Sequence, residues 1–62
     1  MTYKELIEEC KKRELTIVDD NVKFSVLDKK GKKHPLNSED MKLYKSGKEE
    51  VPPYFLEFLD VL

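Results

Sequence analysis

The chain has 62 residues, 40% of them charged, yet acids and bases nearly cancel to a formal net charge of -1. A chain this short forms one domain, residues 1–62, near the lower size limit for folding without disulfides or metal. The charge balance and the lack of basic–aromatic alternation argue against a nucleic-acid partner, and the single cysteine excludes an intrachain disulfide.

A lone Cys with a lone His cannot build a zinc site, so no metal or other cofactor is expected. No basic start followed by an apolar signal region is present, and no apolar run approaches the roughly 18 residues of a membrane span. A soluble, cytoplasmic protein with no membrane partner is the expectation.

Thr2-Tyr3-Lys4-Glu5 matches a capping box and opens the first helix. Tyr3, Leu6, Ile7 and Cys10 follow at helical spacing on one stripe, while Glu8 with Lys12 and Glu9 with Arg13 form i,i+4 pairs. The helix is predicted to end near Arg13 or Glu14. Cys10 on that stripe reads as a small buried hydrophobe. As a nucleophile it would need a base, and His34 is the one candidate.

Leu15 to Leu27 reads as two strands around a two-residue Asp20-Asn21 turn, since Asp and Asn tolerate the positive φ such turns need. That turn pairs Ile17 with Phe24 and Leu15 with Val26 on one face. Thr16, Val18, Lys23 and Ser25 take the other. Asp28-Lys29-Lys30-Gly31-Lys32-Lys33-His34-Pro35 follows. Residues 32–34 either form a third strand beside the second or belong to a basic loop, and Pro35 limits such a strand to a short edge one.

Asn37 is a suitable N-cap for a second helix, with Leu36 and Met41 as a hydrophobic staple, Glu39 and Asp40 in its first turn, and Gly47 as its stop. Glu49 to Pro53 is the linker, in which Pro52 holds Val51 extended and Pro53 opens a third helix. In that helix Phe55, Leu59 and Leu62 make one stripe and Tyr54, Phe58 and Val61 a second. It either completes the core or presents a contact face, for a homodimer or for another domain. The predicted architecture is α+β: helix, β-hairpin, helix, helix (αββαα), with or without a third strand at 32–34.

No Gly-rich phosphate loop and no Ser/His/Asp or metal-ligand spacing occurs. The carboxylate pairs Glu8-Glu9, Asp19-Asp20 and Glu49-Glu50 lack the cleft that would drive their pKa values apart. A non-enzyme is expected.

Five stretches resemble the TubC-type N-terminal docking domains of nonribosomal peptide synthetases and hybrid polyketide synthetases. They are Tyr3-Lys4-Glu5-Leu6-Ile7, Leu15-Thr16-Ile17, Val22-Lys23-Phe24, Lys30-Gly31 and Leu36-Asn37-Ser38-Glu39. The chain departs from that pattern in having Glu14 where the family usually has Gly, in a longer lysine-rich loop, and in a longer Ser46 to Pro53 connection. The resemblance implies protein–protein recognition, in which the acidic C-terminal tail of a partner subunit adds as a strand to the hairpin. It places the receiving strand at Val22, Lys23, Phe24, Ser25, Val26 and Leu27, with Lys23, Lys29 and Lys30 pairing acidic tail residues. The alternative is a free-standing phage-type or regulatory protein that contacts a larger protein through Tyr54, Phe55 and Phe58 of the apolar last helix.

Overall fold

The computed structural model describes residues 1–62. Helix α1 spans Tyr3–Lys12, strands β1, β2 and β3 span Thr16–Asp19, Phe24–Leu27 and Lys33–Pro35, and helices α2 and α3 span Ser38–Ser46 and Tyr54–Asp60. The three strands form one antiparallel sheet in the order β1-β2-β3. Of the two outcomes open for residues 32–34, the chain takes the strand, one residue further along.

Helices α1 and α2 start and stop where local chemistry directs. The Thr2 hydroxyl accepts from the Glu5 amide and the Glu5 carboxylate accepts from the Thr2 amide, completing the capping box of α1. Asn37 Oδ1 accepts from the Asp40 amide and caps α2. Both helices end in the same six-residue motif. The Leu15 amide reaches back to the Cys10 carbonyl, and the Lys48 amide to the Leu43 carbonyl, around a residue in the left-handed conformation. In α2 that residue is Gly47, with φ 80°. In α1 it is Glu14, with φ 60°, a conformation that costs a residue with a Cβ about 1–2 kcal/mol.

The hairpin has the expected faces and a different register. Thr16 pairs with Leu27, Ile17 with Val26, Val18 with Ser25 and Asp19 with Phe24, two residues away from the two-residue-turn alignment. The cause is the pair of aspartates. Asp19 Oδ1 accepts from the Asn21 amide, and Asp20 Oδ1 accepts from the amides of Val22 and Lys23, so residues 20–23 close a longer loop with Asn21 at φ 71°. A slip of two leaves every side chain on its own face.

Strand β3 follows a tight loop in which the Gly31 amide donates to the Asp28 carbonyl and the Asp28 amide to the Lys32 carbonyl. Gly31 at φ 86° supplies the left-handed residue of this turn-and-bulge hairpin.

The core is Leu6, Cys10, Leu15, Phe24, Val26, Met41, Tyr44, Val51 and Leu59. It lies between the sheet face carrying Phe24 and Val26 and the helices. Full burial of side chains such as Leu6 and Val26 contributes roughly 1.5–3 kcal/mol each. The 47–53 connection also joins the fold, because Met1 and Val51 exchange two hydrogen bonds, ammonium to carbonyl (2.9 Å) and amide to carbonyl (2.7 Å). Arg13 ties α1 to α3 through Asp60 (2.6 Å), and Lys45 of α2 pairs with Asp19 at the end of β1.

Replacement of Glu14 by Gly is expected to raise stability by about 0.5–1 kcal/mol, the relieved strain less the entropy of the added glycine. Gly47→Ala should lower it by about 1 kcal/mol. Urea midpoints at constant slope measure both, and a Glu14→Gly chain no firmer than the parent would dismiss strain at this position.

Candidate functional site

The proposed receiving residues do not come together as one edge. Val22 and Lys23 precede β2 and lie exposed in the hairpin loop, and the Phe24 and Val26 side chains point into the core. Ser25 and Leu27 take the opposite face, while Lys29 and Lys30 stand exposed at the tip of the β2–β3 loop. Strand β2 is the middle strand, paired with β1 on one side and β3 on the other. Residues 22–27 therefore offer no free strand edge, and the expectation that a tail adds there is corrected. The reason is Gly31, which lets the lysine loop turn tightly enough to bring β3 alongside.

The sheet has two outer edges of unequal character. On β3, the Leu36 amide donates to the Phe24 carbonyl and the Asp28 amide to the Lys32 carbonyl. Ladder alternation then aims the polar backbone of His34 inward and that of Lys33 and Pro35 outward. Pro35 has no N–H, and Lys33 puts a charge on the edge, so this side is blunted against further pairing.

On β1, the Asp20 amide donates to the Lys23 carbonyl, and the same alternation turns Val18 and Thr16 inward. The amides and carbonyls of Ile17 and Asp19 face away from β2. No proline or lysine interrupts residues 15–19.

Beside the β1 edge lies a pocket of about 120 Å³ lined by Ile7, Cys10, Leu15 and Ile17, with Lys11 and Thr16 at its margin. It is well below the roughly 300–1,000 Å³ of small-molecule sites, and suits a single side chain. It follows from the Tyr3-to-Cys10 stripe of α1 meeting the apolar face of β1. Burial pushes the Cys10 thiol above its ordinary pKa, holding it as a neutral apolar group.

His34, the one candidate base, is engaged elsewhere: its Nε2 lies 2.8 Å from Asp28 Oδ2. Asp28 Oδ1 accepts in addition from the amides of Lys30 and Lys32. The bond to His34, followed by the Lys32 amide, holds the Asp28 carboxyl down at about 2. Asp28 is thus the organiser of the lysine loop, a role that its position as the turn's first residue alone signals in the sequence.

Tyr54, Phe55 and Phe58 do come together. With Pro35, Leu36, Met41 and Tyr44 they line a groove of about 300 Å³ between the start of α2 and α3, with Asn37 and Asp40 as its polar members. A wider open notch between the hairpin loop and α2 is polar, lined by the Asp19–Lys45 pair, Asn21, Lys42 and Ser46 around Phe24. No helix is long and apolar enough to cross a membrane. In comparisons with known protein families, curated proteins and solved structures, the chain finds no match.

Asp28 titrates near 2 in the folded chain against an ordinary value of 3.8, so its contribution to stability is complete above about pH 5 and fades as pH falls toward 2. Asp28→Asn should be less stable than the parent at pH 7, with the gap closing between about pH 5 and pH 2. Thermal melts of the two chains across that range test this. A gap that stays constant with pH would assign the loss to geometry rather than to the charge.

Proposed function

We propose that the chain is a non-catalytic docking module, of the TubC-type kind its sequence resembles, working in the cytoplasm. It receives an extended segment of a partner subunit as a fourth strand along β1. One observation carries this reading: β1 is the unblunted outer edge of the sheet, with the amides of Ile17 and Asp19 unpaired beside a side-chain-sized pocket. Backbone bonds along such an edge supply affinity, and a pocket for alternate side chains supplies register. The hydrophobic anchor enters between Ile7, Cys10 and Ile17.

The cation best placed for an acidic tail is Lys11, which lines that pocket. Lys29 and Lys30 stand exposed at the tip of the β2–β3 loop and do not line the pocket. Exposed charge pairs of this kind set specificity and salt dependence more than affinity. In a nonribosomal peptide synthetase, such a contact would match one subunit to the next.

Decapeptides alternating apolar and acidic residues, titrated into the labelled domain, should shift the amides of residues 15–19 together with Ile7 and Lys11. Ile17→Pro removes an amide that takes no part in the β1–β2 ladder. It should weaken binding by roughly tenfold or more, about 1.4 kcal/mol, relative to Ile17→Ala, which loses the side chain and keeps the amide. Equal affinities of the two variants, with both chains folded by circular dichroism, would sink strand addition at this edge.

A further inference from the structure

The aromatic groove between α2 and α3 takes no part in strand addition and has a different chemistry. Its lining brings Tyr44, Tyr54, Phe55 and Phe58 together with Met41, Leu36 and Pro35. The rings are set edge to face: Tyr44 and Phe55 at 6.3 Å and 89°, Phe55 and Phe58 at 5.7 Å and 79°. Tyr54 stays 65% exposed in a chain whose core has only nine residues. A fold so short of apolar side chains leaves a large one outside at a cost, and the residues around Tyr54 are themselves only half-covered.

The charge at this groove is one-sided. Asp40 lines it, forms no ion pair, and leaves its carboxylate free of hydrogen bonds within the chain. None of the chain's twelve lysines and arginines lines the groove. Burial raises the Tyr44 hydroxyl above its ordinary pKa, and the charges of Asp40, Tyr54 and Glu49 raise it further, so the groups acting on it are all acidic.

Aromatic faces carry negative potential that attracts a cation, and a neighbouring carboxylate adds to it. A guanidinium meets both demands at once. It stacks flat on a ring while its fork of N–H donors meets a carboxylate, which an ammonium cannot reproduce.

We infer that this groove receives an arginine side chain flanked by apolar residues from a partner protein. The arginine lies across the aromatic rings and reaches Asp40, and its apolar neighbours contact Leu36, Met41 and Tyr54. The polarity is opposite to that expected of a tail on β1. The two sites also lie at opposite sides of the sheet, one along β1 and the other starting at Pro35, the last residue of β3.

The probe is the blocked pentapeptide Ala-Leu-Arg-Leu-Ala, compared with the same peptide carrying neutral citrulline in place of arginine. Binding is followed by shifts of the aromatic and amide signals of the labelled domain. The arginine peptide should perturb the rings of Tyr54, Phe55 and Phe58 and the amide of Asp40. Citrulline in the peptide, or Asp40→Asn in the domain, should weaken binding roughly tenfold, about 1.4 kcal/mol.

Asp40→Asn keeps the backbone amide that caps α2, and Tyr54→Ser changes an exposed residue, so both variants should fold. Tyr54→Ser should weaken binding too. Equal binding of the citrulline peptide would reduce the groove to a plain apolar contact and overturn the inference. So would the absence of any ring shift at millimolar peptide, or shifts confined to residues 15–19. Ring shifts that grow with protein concentration alone, with dimer seen in sedimentation, would assign the groove to a second copy of the chain instead.

Discussion

The amide of Phe24 donates to the Ser38 hydroxyl at 3.1 Å and its carbonyl accepts from the Leu36 amide at 3.0 Å, while its ring is buried in the core. One residue thereby joins the start of the middle strand to the start of α2 by three separate interactions. The position of α2 decides whether Met41 and Tyr44 reach the core, and with them whether α3 has a surface to pack on. Each hydrogen bond here contributes only about 0.5–1.5 kcal/mol net. Their weight comes from location, because a domain with so small a core has few other contacts of long sequence separation to fix its layers.

Much of this fold is legible in the sequence because the signals are local. The capping box at Thr2 and Glu5, the Asn37 cap and the Gly47 stop each depend on residues within one helical turn, and each stands where expected. The last helix is legible as two apolar stripes but not as to which turns inward: Leu59 is buried and Phe55, Phe58 and Leu62 are half-covered, while Tyr54 and Val61 face out. The hairpin faces follow from alternation, which a two-residue slip does not alter. The register is another matter. It turns on aspartate side chains taking the amides of Asn21, Val22 and Lys23, a choice between turn types that are both open to Asp-Asn.

What the sequence conceals is the outcome of pairing between distant segments. Whether residues 33–35 form a strand decides whether β2 is an edge or the centre, and so moves the free edge from residues 22–27 to residues 16–19. That decision rests on Asp28, whose carboxylate gathers two loop amides and His34, and on Gly31 at positive φ. Lys29, Lys30, Lys32 and Lys33 around them are all exposed, and Lys33 puts a charge on the outer strand. Glu14 shows the converse. Its backbone takes the left-handed conformation that suits glycine, so the local geometry is reached at some strain.

The same economy shapes both candidate surfaces. A chain of this size cannot bury all of its apolar groups; Val22 and Val61 stand exposed apart from both surfaces, but several of the partly covered ones gather. Ile7 and Ile17 flank the one unblunted strand edge, and Tyr54, Phe55 and Phe58 gather over the start of α2. Beside the first group stands a lysine, and beside the second an aspartate without a partner. Because the net charge is close to zero, neither surface acts through a field of the whole molecule. Each must discriminate at contact range, within about a Debye length of one charge. Apolar area then sets how tightly a partner is held, while Lys11 and Asp40 set which partner is refused, since a like charge beside a desolvated groove costs far more than a matched one returns.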